Sequence, residues 1–323
     1  MKKEFEKNIG AAAKALSRAK KVAIVSHVNP DGDTLGCLLA LGLALMQKEK
    51  KVTLLCQDTV PTRYQYLPGS ELVVSQSREK ADVSVAVDCG SPRQLGSLAK
   101  AFFRSPCTVQ IDHHDFGDAF GKIQVLDPEA SAVGEIAYEL LLALDTDITP
   151  AIATCLLTSI IVDTGAFRFS NVRAKTFAIC SRLIKKGVDI QHLIEEAYWA
   201  KSRSMALLSG HAVSRAKFSK DGSVAWAAVS QREIRRYGAG LSDADSVADD
   251  LRSIDGVKVA VLFRETEKGK LRVSLRSKKG INVALVAKTF GGGGHHNSAG
   301  CSIRPVESQK KSILHALEAL VSQ

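Results

Sequence analysis

Carboxylates and imidazoles recur in four short clusters: His27-x-x-x-Asp31-x-Asp33, Asp88, Asp112-His113-His114 and Asp163-Thr164-Gly165. A set of this kind, richer in oxygen than nitrogen and without thiolate, coordinates divalent cations and favours Mn²⁺ or Mg²⁺ over structural zinc. Gathered in one place, Asp31, Asp33, Asp88 and Asp163 would repel one another until some stayed protonated, and two divalent ions relieve that repulsion. A water bridging two ions about 3.5 to 4 Å apart is acidified by both and becomes a nucleophile for in-line attack on phosphorus. Any one cluster has a plainer reading. His27 to Asp33 alone reads equally well as a turn whose Asp side chains bond the backbone. Adjacent His113 and His114 at an element end are harder to dismiss, because two polar rings are costly to bury unless something binds them.

The elements that must carry these residues are legible as apolar runs. Val22 to Ser26, Val83 to Val87, Thr108 to Ile111 and Leu156 to Val162 are too evenly apolar for half-exposed strands and read as elements buried on both faces. Each run ends at one of the clusters. Helices are expected over about 34–48, near Pro92 to Phe103, over Ser131 to Leu144, and from Pro150 to about Val162, with a second strand at Lys51 to Cys56. Helical crossovers between buried strands imply a parallel sheet, and ligands of such sheets bind outside the carboxyl ends of the strands. Four polar element ends can therefore meet.

At 323 residues the chain is long for one core, and the net charge of +10 is uneven. Residues 1–187 carry 23 Lys+Arg against 20 Asp+Glu, and residues 188–323 carry 21 against 14. The expected organisation is an amino-terminal α/β domain over 1–187 with a parallel sheet and helices on both faces, a helical linker over 188–209, and a smaller mixed α/β domain over 210–323. In that last part Lys268 to Lys279 packs six cations into twelve residues, which suits a polyanion or a solvated strand face. Strands are expected at Val224 to Val229, Val257 to Phe263 and Leu271 to Arg276, with a helix near Asn282 to Phe290.

Gly291 to Gly294 then forms a glycine loop followed by His295-His296-Asn297. Glycines let backbone amides approach a phosphate or base, and the polar residues behind them supply directional hydrogen bonds. Five of the eight histidines lie in these polar clusters; His192, His211 and His315 fall in helical contexts and read as surface or packing residues. Seven cysteines without a C-x-x-C pair fit a reducing compartment, and no apolar stretch reaches the length of a membrane span, so the expected location is the cytoplasm.

The four clusters, in this order and with the glycine run behind them, resemble the DHH phosphoesterase family, named for the motif present here as Asp112-His113-His114. The resemblance spans nearly the whole chain, and length and domain plan are most similar to its NrnA subgroup. It implies a pair of Mn²⁺ ions, with Mg²⁺ as the other option: His27 and Asp31 on one, Asp33, His113 and Asp163 on the second, and Asp88 bridging both. It also implies that His114 contacts the phosphate and that Asp112 orients a ligand imidazole. In the carboxyl-terminal, substrate-binding domain the resemblance points to Gly292, Gly293, Gly294, His295, His296 and Asn297, and less firmly to Arg272, Ser274 and Arg276. Two residues depart from the family pattern: Cys37 stands where a small serine is usual, and His296 where a lysine is commoner.

The implied substrates are short RNA oligonucleotides, cut to mononucleotides, and the nucleoside bisphosphate 3′-phosphoadenosine 5′-phosphate, hydrolysed to AMP. Linear or cyclic dinucleotides are the alternative within the same chemistry. A catalytically silent nucleotide or RNA sensor is the alternative outside it. Only 6% of the chain is aromatic, which disfavours the extended stacking groove of a processive single-strand exonuclease. No membrane partner is expected, and a homodimer is compatible with the sequence.

Overall fold

A computed structural model of the chain describes residues 2–114, 117–199, 201–266, 269–278 and 280–322, with the side chains of Lys2, Ser242 and His295 outside that description. The chain divides into two compact units, Met1–Ala200 and Lys201–Gln323. Residues 188–209 hold the short helix α7, one π turn and the first half of α8, defined below.

The first unit is built on a six-stranded sheet. Its strands are β1 (Lys21–Val25), β2 (Lys51–Leu55), β3 (Val73–Val74), β4 (Val83–Val87), β5 (Cys107–Asp112) and β6 (Ile123–Leu126), all parallel and in the order β3-β2-β1-β4-β5-β6. Its helices are α1 (Lys2–Arg18), α2 (Gly32–Gln47), α3 (Ala99–Phe103), α4 (Val133–Ala143), α5 (Pro150–Asp163), α6 (Ala174–Ile184) and α7 (Ile190–Ile194). Successive residues of β1 alternate between two cores. Val22 and Ile24 join the large one formed with α2, α4 and α5, while Ala23 and Val25 join a thinner one with Leu95, Leu98 and Phe102. This double burial is why the strands read as continuous apolar runs. The chain leaves β1 first toward β2 and β3 and later returns to build outward through β4, β5 and β6, so the order reverses between β1 and β4. A crevice opens at such a reversal, beyond the carboxyl ends of the strands.

Several elements of the first unit differ from expectation. No apolar run marks helix α1, the two-residue β3 or the edge strand β6, in which only Val125 is fully buried. The helix expected near Pro92 to Phe103 is two pieces, a 3₁₀ turn over Pro92–Leu98 kinked at Gly96, where φ is +54°, and then α3. All seven cysteines are free thiols, and all but Cys107 are buried.

The second unit has a mixed sheet ordered β11-β12-β10-β9-β8-β7. It comprises α8 (Arg203–Ser214), β7 (Lys217–Phe218), β8 (Val224–Val229), α9 (Gln231–Tyr237), α10 (Ser246–Arg252), β9 (Val259–Glu265), β10 (Leu271–Ser277), α11 (Val283–Thr289), β11 (Gly293–His295), β12 (Ser298–Ile303) and α12 (Glu307–Val321). Only β8 and β9 pair in parallel. Val261, Val273 and Leu275 pack with α11 and α12 on one face, and Ala260 and Leu262 pack with α8 to α10 on the other. The glycine run is not a simple loop: Gly293 and Gly294 pair with Gly300 and Ala299 of β12. Cross-strand pairing overrides the poor strand propensity of glycine here.

Candidate metal centre

Four element ends of the first unit deliver the polar clusters to one place. His27 follows β1, Asp88 follows β4, Asp112 ends β5 with His113 and His114 behind it, and Asp163 is the last residue of α5. Asp31 caps α2, its Oδ1 accepting the amides of Asp33 at 3.0 Å and Thr34 at 3.1 Å. The backbone turn read from this motif is therefore present, and it sets the first turn of α2 against β1. Asp88 sits in the left-handed region at φ +57°, a conformation uncommon outside glycine that clusters at functional sites.

Within this crevice the side chains form two groups whose ligand atoms lie within 4.8 Å of one another: His27, Asp31 and Asp88, and Asp33, His113 and Asp163. A third, overlapping group is Asp88, His113 and His114. Asp88 faces both sides, with Oδ2 at 3.3 Å from His27 Nε2 and Oδ1 at 3.9 Å from His113 Nε2. Asp33 Oδ2 and Asp163 Oδ2 lie 3.6 and 3.4 Å from the same His113 nitrogen. Asp33, Asp88 and His113 are buried.

Burial and mutual repulsion distort the protonation of this cluster. Burial, then the charges of Asp88 and Asp163, push Asp33 well above the usual carboxylate range. Asp163 is pushed up to about 7, chiefly by burial, against the pull of His113. Burial opposes a charged His113, but the carboxylates of Asp163, Asp33 and Asp88 outweigh it and raise the ring to about 10. The same contest, settled by Asp112, raises His114 to about 9. A cluster that must borrow protons to coexist is one that divalent cations would relax.

The chain matches two domain families. Residues 21–160 match the DHH family, N-terminal domain, and residues 221–323 match the DHHA1 domain. The bifunctional oligoribonuclease and PAP phosphatase NrnA of Thermus thermophilus is 30% identical over 88% of this chain and 85% of its own. The chain belongs to the DHH family. A second relative of this DHH protein, the bifunctional oligoribonuclease and PAP phosphatase NrnA of Bacillus subtilis, is 26% identical over 96% of this chain and 97% of its own. Among solved structures, an exopolyphosphatase-related protein from Bacteroides fragilis superposes with a TM-score of 0.90 at 27% identity, covering 97% of this chain and 96% of its own.

The residues of this DHH centre fit divalent cations on their own chemistry. Asp88 Oδ1 is buried with no hydrogen-bond partner among the described residues, a cost proteins rarely bear unless a ligand or ion meets the atom. The donors are carboxylate oxygens and imidazole nitrogens, and the nearby thiols of Cys37 and Cys89 are buried with pKa values pushed well above the usual thiol range. That set suits manganese or magnesium.

Around these grouped DHH-domain side chains lie contacts with little trace in the linear sequence. His113 Nδ1 lies 3.0 Å from the Ala130 carbonyl, so a backbone oxygen, and not Asp112, orients the ring expected to be a ligand. Asp112 turns instead to His114, its Oδ1 2.6 Å from Nδ1. Asn171 ties the Ser131 and Asp163 carbonyls together, at 2.8 and 3.2 Å. Fully buried Glu135 accepts the hydroxyls of Ser131 and Thr176 at 2.5 and 2.6 Å and meets Arg173 at 3.4 Å, anchoring the loop that supplies Ala130.

The residues expected to hold substrate are in the second unit. Ser274 donates to Asp245 at 3.2 Å, and Arg276 Nε pairs with Asp249 at 3.3 Å, so both already have acidic partners. Arg272 is exposed, forms no ion pair among the described residues, and lays its guanidinium beside Gly300. Gly293 and Gly294 are exposed on β11, while a Cβ at Gly292 would strike Gly300 and Cys301 of β12. The backbone carbonyls of His296 and Asn297 accept the amides of Val283 and Ser277, both at 2.9 Å. His295 falls in β11, and its side chain, like Lys268 and Lys279 of the basic run, lies outside the described residues. His211, read as a packing residue, lies in α8 beside Glu233.

Proposed function

We propose that this DHH protein is a two-metal phosphoesterase that hydrolyses short oligoribonucleotides to mononucleotides and 3′-phosphoadenosine 5′-phosphate to AMP, in the cytoplasm. The observation that carries the reading is Asp88, one carboxylate whose two oxygens address two separate ligand groups. The substrates follow from the names of the relatives, which join an oligoribonuclease to a PAP phosphatase.

His27, Asp31 and Asp88 would hold one Mn²⁺, and Asp33, His113, Asp163 and the shared Asp88 the other, with Mg²⁺ the alternative ion. Bound there, such ions supply Lewis acidity at a phosphoryl oxygen and lower the pKa of water. The protein supplies orientation. His114, hydrogen-bonded through Nδ1 to Asp112, would contact the phosphate. Ala130 and Asn171 hold the His113 ring and the Asp163 backbone, so the ligands do not reorganise with each turnover. In the second unit the exposed Gly293 and Gly294 of β11, with His295, His296 and Asn297 after them, and the Arg272 guanidinium would take the nucleotide. Arg272 is favoured over Ser274 and Arg276, whose hydrogen-bonding groups already meet Asp245 and Asp249.

The test is Mn²⁺-dependent phosphate release from 3′-phosphoadenosine 5′-phosphate and mononucleotide release from a labelled dinucleotide. Asp88→Ala abolishes both while the circular dichroism spectrum is kept. Intact rates in that variant would refute the mechanism, and tight binding without turnover in the parent would favour the silent sensor.

A further inference from the structure

The two carboxylate oxygens of Asp33 keep different company. Oδ2 accepts the Val133 amide at 3.0 Å and lies toward His113, within the Asp33, His113 and Asp163 group. Oδ1 accepts the Ser159 hydroxyl at 2.5 Å and the Cys37 thiol at 3.6 Å, and the thiol also reaches Ser159 Oγ at 3.6 Å. Asp33, Cys37 and Ser159 are all buried.

Three helices are shaped around this contact. Asp33 and Cys37 stand one turn apart on α2, and Ser159 lies 126 residues beyond Asp33 on α5. A Cβ at Gly36 of α2 would fall on the Cys155 carbonyl and 3.0 Å from the Ser159 Cβ. A Cβ at Gly134 of α4 would fall on the Ser159 hydroxyl itself. Glycine at both positions lets α2 and α4 close around Ser159 with no side chain between its hydroxyl and Asp33. A serine inside a helix ordinarily bonds the carbonyl one turn back, here that of Cys155; this one donates to a carboxylate on another helix instead.

We propose that Ser159, seconded by Cys37, is the positioning residue of the Asp33 ligand: it occupies Oδ1, turns Oδ2 alone toward the cation, and sets the affinity of that half of the centre. This rests on the metal reading of the Asp33 group. With Val133 on one oxygen and Ser159 on the other, the carboxylate has lost its rotamer freedom before an ion arrives, and outer partners of this kind commonly govern metal affinity.

Metal-free protein titrated calorimetrically with Mn²⁺ tests the assignment. Ser159→Ala raises the Kd for Mn²⁺ by about 10-fold or more, while its circular dichroism and metal-free melting match the parent. Adding Cys37→Ser to that variant brings a hydroxyl to the same oxygen from the neighbouring turn and recovers most of the loss. A folded Ser159→Ala protein that binds Mn²⁺ as the parent does overturns the proposal, and so does a loss that Cys37→Ser leaves unrepaired. Ser159→Cys, which keeps the volume and weakens the donor, carries the same test if the alanine variant does not fold; an unchanged Kd there overturns it equally. A parent that takes up no Mn²⁺ refutes the metal centre itself, a result distinct from the others.

Discussion

Asp112 and His114 are locked together at 2.6 Å, carboxylate to Nδ1, while the neighbouring His113 takes its orientation from a backbone carbonyl. Adjacent imidazoles thus have different supports at Nδ1, an acid for His114 and a backbone oxygen for His113. Asp112→Asn should lower kcat by about 10- to 100-fold by releasing the His114 ring. Mn²⁺ affinity should stay near the parent value, because Asp112 belongs to neither ligand group. Steady-state kinetics beside calorimetry checks the split, and a variant that loses metal as well would place Asp112 among the ligands.

Metal should stabilise the fold as well as activate it. Asp33, Asp88 and Asp163 compete for charge when no cation is present, so Mn²⁺ binds the native cluster and not the unfolded chain. At a free concentration about 100 times its Kd, one bound ion adds about 2.7 kcal/mol. Melting curves with Mn²⁺ and with a chelator should differ in that direction. Coincident curves would speak against a native cation site.

Arg272 should act on substrate binding and little else. It lies in a different compact unit from the ligand groups and forms no ion pair among the described residues. Arg272→Ala is expected to raise KM for 3′-phosphoadenosine 5′-phosphate by about 10-fold, the value of one charge-assisted hydrogen bond. The unfolding midpoint should be unchanged. Ser274→Ala and Arg276→Ala should instead reduce stability through loss of the Asp245 and Asp249 contacts.

A pH effect on stability is expected from α9, far in sequence from any ligand. Burial pushes Glu233 up, but the Ser230 hydroxyl and amide, with His211 and Arg215, pull it down to about 2 from an ordinary 4.5. A carboxyl depressed in the folded state contributes stability that is complete above the unfolded value and vanishes as pH falls through the folded one. Unfolding of the second unit should therefore become easier between pH 4.5 and about 2. Glu233→Gln should flatten that window, followed by urea titration at each pH.

Much of the centre was legible because chemistry and topology coincide in the linear chain. Each polar cluster sits where an evenly apolar run stops; three of those runs are strands of a parallel sheet, whose carboxyl ends share one edge, and the fourth belongs to the helix α5. The unread parts have physical reasons. β6 is a half-exposed edge strand whose Ile123 and Gln124 give no continuous apolar signal. Gly293 and Gly294 have no strand propensity, and their pairing with β12 is purely tertiary. Ser159 sits in an unbroken apolar helix where a small polar residue reads as tolerated filler; its meaning lies in a contact with Asp33 that no local pattern encodes.

The central claim is a pair of divalent ions sharing Asp88, and anomalous scattering from crystals grown with Mn²⁺ addresses it directly. The account predicts two peaks, one among His27, Asp31 and Asp88 and one among Asp33, His113, Asp163 and Asp88. A single peak, or manganese held elsewhere while these side chains stay as they are, would contradict it.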